Sequence, residues 1–266
     1  MLSSIFLLQL VLTFLIGSCW IYFTVFAGLH FGSKTGGFIG GLPSTALLSF
    51  FFIGFTQSPE IASSVTTVFP LSMAVSGLFL VVFASIARRG FILALVSGLC
   101  FWFLLSAIIV CFRWEKFILN LIIYAIFMFI AYLILEKHLK IRSISFDKTK
   151  NSEKHLVIRS LFGGFIVMLT VLVSKTGGPV LGGIFAAFPA MFIATLTISY
   201  KTRGIEFSRA MTKPLLVTGM ITIAVYAVAL RYLYLATGLY TGTLLSIFVS
   251  AVSAYLTFRF ILPKLK

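Results

Sequence analysis

The chain has 266 residues, 60% of them hydrophobic and 10% charged, with a net charge of +15; an average soluble domain carries about 25% charged residues. No water-soluble fold of this size can hide so much apolar surface, and apolar runs longer than about 18 residues cross a bilayer as helices. The runs are continuous, without period-two alternation, which excludes a membrane β-barrel.

The first predicted span covers about 4–29. No basic segment precedes it, and its apolar run continues too far for the core of a signal peptide. A second span, about 36–56, opens on the stretch SKTGGFIGGLPSTALLSFF and carries Pro43 inside it. Spans three, four and five follow at about 61–86, 91–111 and 117–135. The polar stretch Glu136–His155 is too charged for lipid and too short for a domain, so it reads as a linker. Four further spans are expected near 156–174, 178–199, 212–235 and 239–262. The expected fold is an all-α polytopic membrane protein of nine transmembrane helices. Its parts are a four-span unit (1–112), a linker helix with a basic loop (113–155) and a second four-span unit (156–266). Cys19, Cys100 and Cys111 all fall within apolar runs and read as packing residues.

The two units share a phrase. Ser33-Lys34-Thr35-Gly36-Gly37 recurs unchanged as Ser174-Lys175-Thr176-Gly177-Gly178. With a short insertion in the second copy, Pro43 falls on Pro189 and Glu60 on Glu206. A single span lies between the units, so the second must cross the membrane in the opposite sense. That is an inverted-topology repeat, the plan of many secondary transporters.

Short cytoplasmic loops are enriched in lysine and arginine. With the linker placed in the cytoplasm, 17 of the 21 basic residues fall on that side; Arg113, Lys116, Lys175 and Arg231 fall on the other. The N-terminus is then outside and the C-terminus inside. These basic residues flank the membrane, where topology accounts for them, so nucleic acid is rejected as a partner. Anionic lipid head groups are natural neighbours.

From about residue 171 to 263 the second unit resembles the GlpM-like family of small four-helix bacterial membrane proteins. The likeness rests on Lys175-Thr176, Gly182-Gly183, Phe188-Pro189, Arg203-Gly204-Ile205-Glu206 and Arg209-Ala210. The first unit keeps Lys34-Thr35 and Pro43 but has Gln57-Ser58-Pro59-Glu60 in place of the arginine-glycine stretch. The resemblance implies an inner-membrane protein and a fused, inverted pair of such units.

The glycines of both copies suit close helix packing. Each proline removes a backbone donor, and the freed carbonyls at that depth must meet protein or water. A broken helix also presents free N–H groups to anions. The expected site therefore lies between spans two and seven. It comprises Lys34, Thr35, Gly36, Gly37, Pro43 and Ser44 from the first copy, and Lys175, Thr176, Gly177, Gly178 and Pro189 from the second. The leading expectation is transport of a small or amphipathic anion by alternating access. Flipping of an anionic lipid or lipid phosphate, and a non-transporting assembly subunit, are the alternatives. The six carboxylates all fall at predicted ends or loops, with Glu60 and Glu206 read as caps of spans three and eight. No cofactor, metal or catalytic set is indicated. Self-association into a homo-oligomer is compatible with the sequence.

Overall fold

The computed structural model describes residues 3–30, 43–112, 116–141 and 153–261. Among these residues every regular element is a helix. The first half contains α1 (Ser4–His30), α2 (Ser44–Thr56), α3 (Pro59–Val65), α4 (Phe69–Ile86), α5 (Phe91–Phe112) and α6 (Phe117–Leu133). The second contains α7 (Glu153–Ala186), α8 (Ala190–Arg203), α9 (Ile205–Ala210) and α10 (Met220–Leu256). π-Turns extend α6 through Ile134–His138, precede α10 at Leu215–Gly219 and follow it at Thr257–Ile261.

Among the described residues, six helical stretches are long and apolar enough to cross a membrane. Two of them, Leu156–Arg203 and Ile205–Leu256, run for 48 and 52 residues. A straight 48-residue helix would be about 70 Å long, more than twice the ~30 Å hydrocarbon core. These stretches are instead broken at glycine. Gly178 has φ 84° and ψ 179°, and Gly238 has φ 77° and ψ −174°, values that a side chain strongly disfavours. Pro179 assists at the first break by driving the preceding residue toward extended ψ. Each break makes a tight antiparallel hairpin. A Cβ placed on Gly182 would lie 2.8 Å from the Ser174 Cβ, and one on Gly242 would lie 2.8 Å from the Tyr234 ring. Across the second hairpin, Tyr234 and Thr243 share a 2.8 Å hydroxyl hydrogen bond. The described residues thus form an all-helical, multi-pass membrane protein with six such stretches, two of them folded back on themselves; the nine separate spans that the sequence predicts are not resolved as nine helices.

Proline begins two further helices. Pro43 and Pro189 occupy the cap positions before α2 and α8, with φ −77° at both and ψ 57° and 38°. At 13 residues, α2 is too short to cross a bilayer alone. The predicted third span is also two pieces, α3 and α4. Ser58 caps α3 by accepting from the Ile61 N–H at 3.3 Å, with Pro59 in the first turn.

Most residues of α4 are buried, and it packs against α5, α6 and α7. The outer helices α5 and α6 leave most of their isoleucine, leucine and phenylalanine surface toward the lipid. The most extensive contact between the halves is α1 with α7. Phe6 lies under Lys175, Gly17 meets Gly164, and Ile21 meets Gly163. Rising numbers on α1 pair with falling numbers on α7, so the two helices are antiparallel. Glycine lets their backbones touch: a Cβ on Gly17 would sit 3.5 Å from the Gly164 Cα.

Candidate functional site

The Gly178 hairpin positions the second copy of the repeated phrase. Lys175, Thr176 and Gly177 lie exposed at its tip, while Gly178 is half-buried. The Lys175 ammonium stands 6.0 Å from the centroid of the Phe6 ring. The Thr176 hydroxyl donates to the Leu172 carbonyl at 3.0 Å, so it is turned back into its own helix. Ser174, just below, accepts from the Gln57 amide at 3.3 Å. Pro189 is buried, at the far end of the following limb. In the first copy Pro43 is buried and Ser44 half-buried at the start of α2. Lys34, Thr35, Gly36 and Gly37 lie outside the described residues.

The Pro189 break has its freed carbonyl satisfied across the interface between the halves. The Ser76 hydroxyl of α4 donates to the Ala187 carbonyl at 2.6 Å. Trp102 of α5 donates its indole N–H to the Ser76 oxygen at 2.9 Å. Phe188 closes the arrangement, edge-on to Trp102 with ring centroids 5.1 Å apart. Both Ser76 and Trp102 are buried, so the break is a packed, polar-satisfied joint. A serine and a tryptophan inside apolar runs give no local signal of this role; their partners across the interface lie far along the chain, Ala187 for Ser76 and Phe188 for Trp102.

Two clusters of charged and polar groups join the halves at the opposite ends of α4. At its start, Arg231 of α10 donates to Thr67 at 2.9 Å, Thr66 at 3.1 Å and the Ser63 carbonyl at 3.3 Å. The Ser63 hydroxyl returns a 2.8 Å bond to the Arg231 carbonyl. The guanidinium also lies over the Phe117 ring, 4.5 Å from its centroid, a cation–π contact. At the other end of α4, Arg209 of α9 donates to the Ala84 carbonyl at 2.9 Å and the Leu139 carbonyl at 3.3 Å. Arg88 pairs with Glu206 at 2.9 Å. Beneath them Lys213, with no exposed surface, forms an ion pair with Glu136.

Glu206 therefore pairs with an arginine of the other half in the first turn of α9, a separate short helix. Glu60 similarly begins α3 and does not begin a span; Ser58 and the backbone N–H hold its carboxyl below the usual carboxylate range. The buried Lys213–Glu136 pair escaped the sequence reading. Its one signal was a lysine beside Pro214 at the mouth of an apolar run, since charges within membrane segments mark function or internal pairing.

The model of the family described as protein of unknown function (DUF3147) matches residues 156–262, within the second half of the chain. The match carries nothing specific to GlpM-like proteins. No curated protein and no solved structure matches the chain.

Proposed function

We propose that the chain is a membrane transporter built from two inverted four-helix repeats, moving a small or amphipathic anion by alternating access. We place it in the inner cell membrane, with its N-terminus outside and its C-terminus in the cytoplasm. The observation that carries this reading is the antiparallel crossing of α1 and α7. These are the opening helices of the two units that share Ser-Lys-Thr-Gly-Gly, and an inverted repeat requires them to run in opposite senses.

The order of pieces supports the same reading. Each unit has a long helix, a proline-capped helix of 13 or 14 residues and a short helix of 7 or 6. Each then has a long helix ending at a positive-φ glycine, Gly90 or Gly238, and a last long helix. The short helices are exchanged between halves: α3 bonds to α10 through Ser63 and Arg231, and α9 bonds to α4 and to the turn Ala87–Arg89 that follows it through Arg209 and Glu206. The two exchanges act as seals at opposite faces. With both closed, a site at Pro43 and Pro189 is occluded, and parting one seal opens it to one side. The Arg88–Glu206 pair suits a seal that must part repeatedly. Its side chains are 67% and 59% exposed, and such a pair contributes about 0–1 kcal/mol.

The test is flux into liposomes containing the purified chain, offered small carboxylates, inorganic phosphate and a fluorescent anionic lipid. Movement of at least one of these above that in protein-free liposomes is expected. Replacing Lys34 or Lys175 by alanine should slow it about fivefold, the effect of one mouth charge on a local anion. Background movement of every compound overturns the proposal.

The packed joint around Trp102, Ser76 and Phe188 favours a second reading, a non-transporting assembly subunit whose repeats serve packing. It requires background flux from a chain that remains folded.

A further inference from the structure

The Gly238 hairpin leaves an apolar groove on the membrane face of the second half. Two adjoining hollows of about 550 and 350 Å³ share Val225 and Val249. The larger runs between the two limbs of α10 toward Leu256 and Phe260. The smaller continues to Val228 and to Leu121 of α6. Small-molecule sites span about 300–1,000 Å³, so the space suffices for a slender ligand.

The groove has a definite depth in the bilayer. Its second limb starts at Gly238 and ends near Phe260, and Val249 lies midway. From Val249 to Phe260 is about 16 Å of helix, close to half of the ~30 Å hydrocarbon core and hence to one leaflet. The Val249 end is walled by valine, alanine and leucine. Toward the other end, Ser253 and Thr257 enter the lining, and Arg259 is exposed beside Phe260. The sequence continues to Lys264 and Lys266, and no acidic residue follows Glu206. Two of the carboxylates assigned to this side, Glu136 and Glu206, are already paired with Lys213 and Arg88.

We propose that this groove is a binding site for one acyl chain of an anionic glycerophospholipid, with its phosphate held at Arg259. An apolar wall has no hydrophobic advantage over surrounding lipid. Residence therefore depends on the fit of a single chain to the groove, and selectivity on the attraction between the basic end and a negative head group. The proposal does not rest on transport, because a resident lipid serves an assembly subunit equally well.

Native mass spectrometry of the detergent-purified full chain, incubated with equal amounts of phosphatidylglycerol and phosphatidylcholine, tests it. The wild type should retain one phosphatidylglycerol in preference to phosphatidylcholine. Val249→Trp, which fills the groove, should reduce that adduct at least tenfold. Leu244→Trp introduces the same side chain at an outward-facing position of the same limb and should leave it unchanged. Arg259→Ala should keep a lipid but lower the preference about fivefold. Val228→Phe, on the opposite wall, replaces Val249→Trp if that variant does not elute as folded protein. Equal retention of the two lipids by the wild type overturns the proposal, as does undiminished retention by a folded groove-filling variant.

Discussion

Lys213 and Glu136 share an ion pair but not an environment. The Lys213 side chain has 0% exposure, whereas that of Glu136 has 35%. Removing one partner of a buried pair costs about 3–5 kcal/mol when the charge left behind stays buried. Glu136→Gln leaves the enclosed ammonium without its carboxylate, and a loss of about 3 kcal/mol is expected. Lys213→Met replaces the lysine with an apolar chain of similar length and leaves a carboxylate that water can reach. A clearly smaller loss is expected there, because the charge left behind is partly exposed and not fully enclosed. Thermal unfolding of the two variants in one detergent measures the difference; equal losses would mean that Glu136 is not the counter-charge that matters. Ser76 poses a related question. Ser76→Ala removes the donor to the Ala187 carbonyl and the acceptor for the Trp102 indole. Leaving such groups unpaired costs about 1–3 kcal/mol, so the variant should unfold at lower temperature, whereas Ser85→Ala, whose hydroxyl bonds within its own helix at Val81, should change little.

The helices are turned by backbone positions as much as by side chains. Gly178 and Gly238 hold the two hairpins in a conformation that an L-residue disfavours by about 1–3 kcal/mol. No atom lies within 4 Å of a Cβ built on either glycine, so the cost of alanine there is conformational and not steric. Gly178→Ala and Gly238→Ala should each destabilise by that amount, and Pro179→Ala by less. If Gly178→Ala leaves the melting temperature unchanged, the break is not intrinsic to that residue. The sequence made both turns partly legible: Thr-Gly-Gly-Pro marks the first, and the predicted spans end and restart around both. It did not reveal how tightly the limbs close, because that depends on Gly182 facing Ser174 and Gly242 facing Tyr234. Pro43 and Pro189 were legible as positions that disturb a helix. The buried surroundings of Pro189 were not, since Ser76 reaches Ala187, and Trp102 reaches Phe188, from distant helices.

Across the whole molecule, the two halves meet where α1 crosses α7, and the two glycines there differ in tolerance. A Cβ on Gly164 would strike the Ser18 side chain and come within 2.8 Å of the Phe14 carbonyl oxygen. A Cβ on Gly17 would find ordinary contacts at 3.5 and 3.8 Å. Gly164→Ala should therefore separate the halves, at a cost of about 1–3 kcal/mol as for overpacking, while Gly17→Ala should be nearly neutral. Proteolytic susceptibility and unfolding temperature report both, and the reverse order of effects would contradict this crossing.

Sequence by itself determined that the chain is helical, polytopic and basic at its membrane flanks, because a bilayer leaves an apolar backbone no alternative to internal hydrogen bonding. It also determined where glycine and proline interrupt the helices, since those constraints belong to single residues. Tertiary structure decided how the interrupted pieces pair: α1 antiparallel to α7, short helices exchanged between halves, Lys213 enclosed beside Glu136, and an apolar groove between the limbs of α10. Those outcomes depend on contacts between residues far apart along the chain, and lipid-facing and protein-facing positions are equally apolar, so hydrophobicity alone cannot distinguish them.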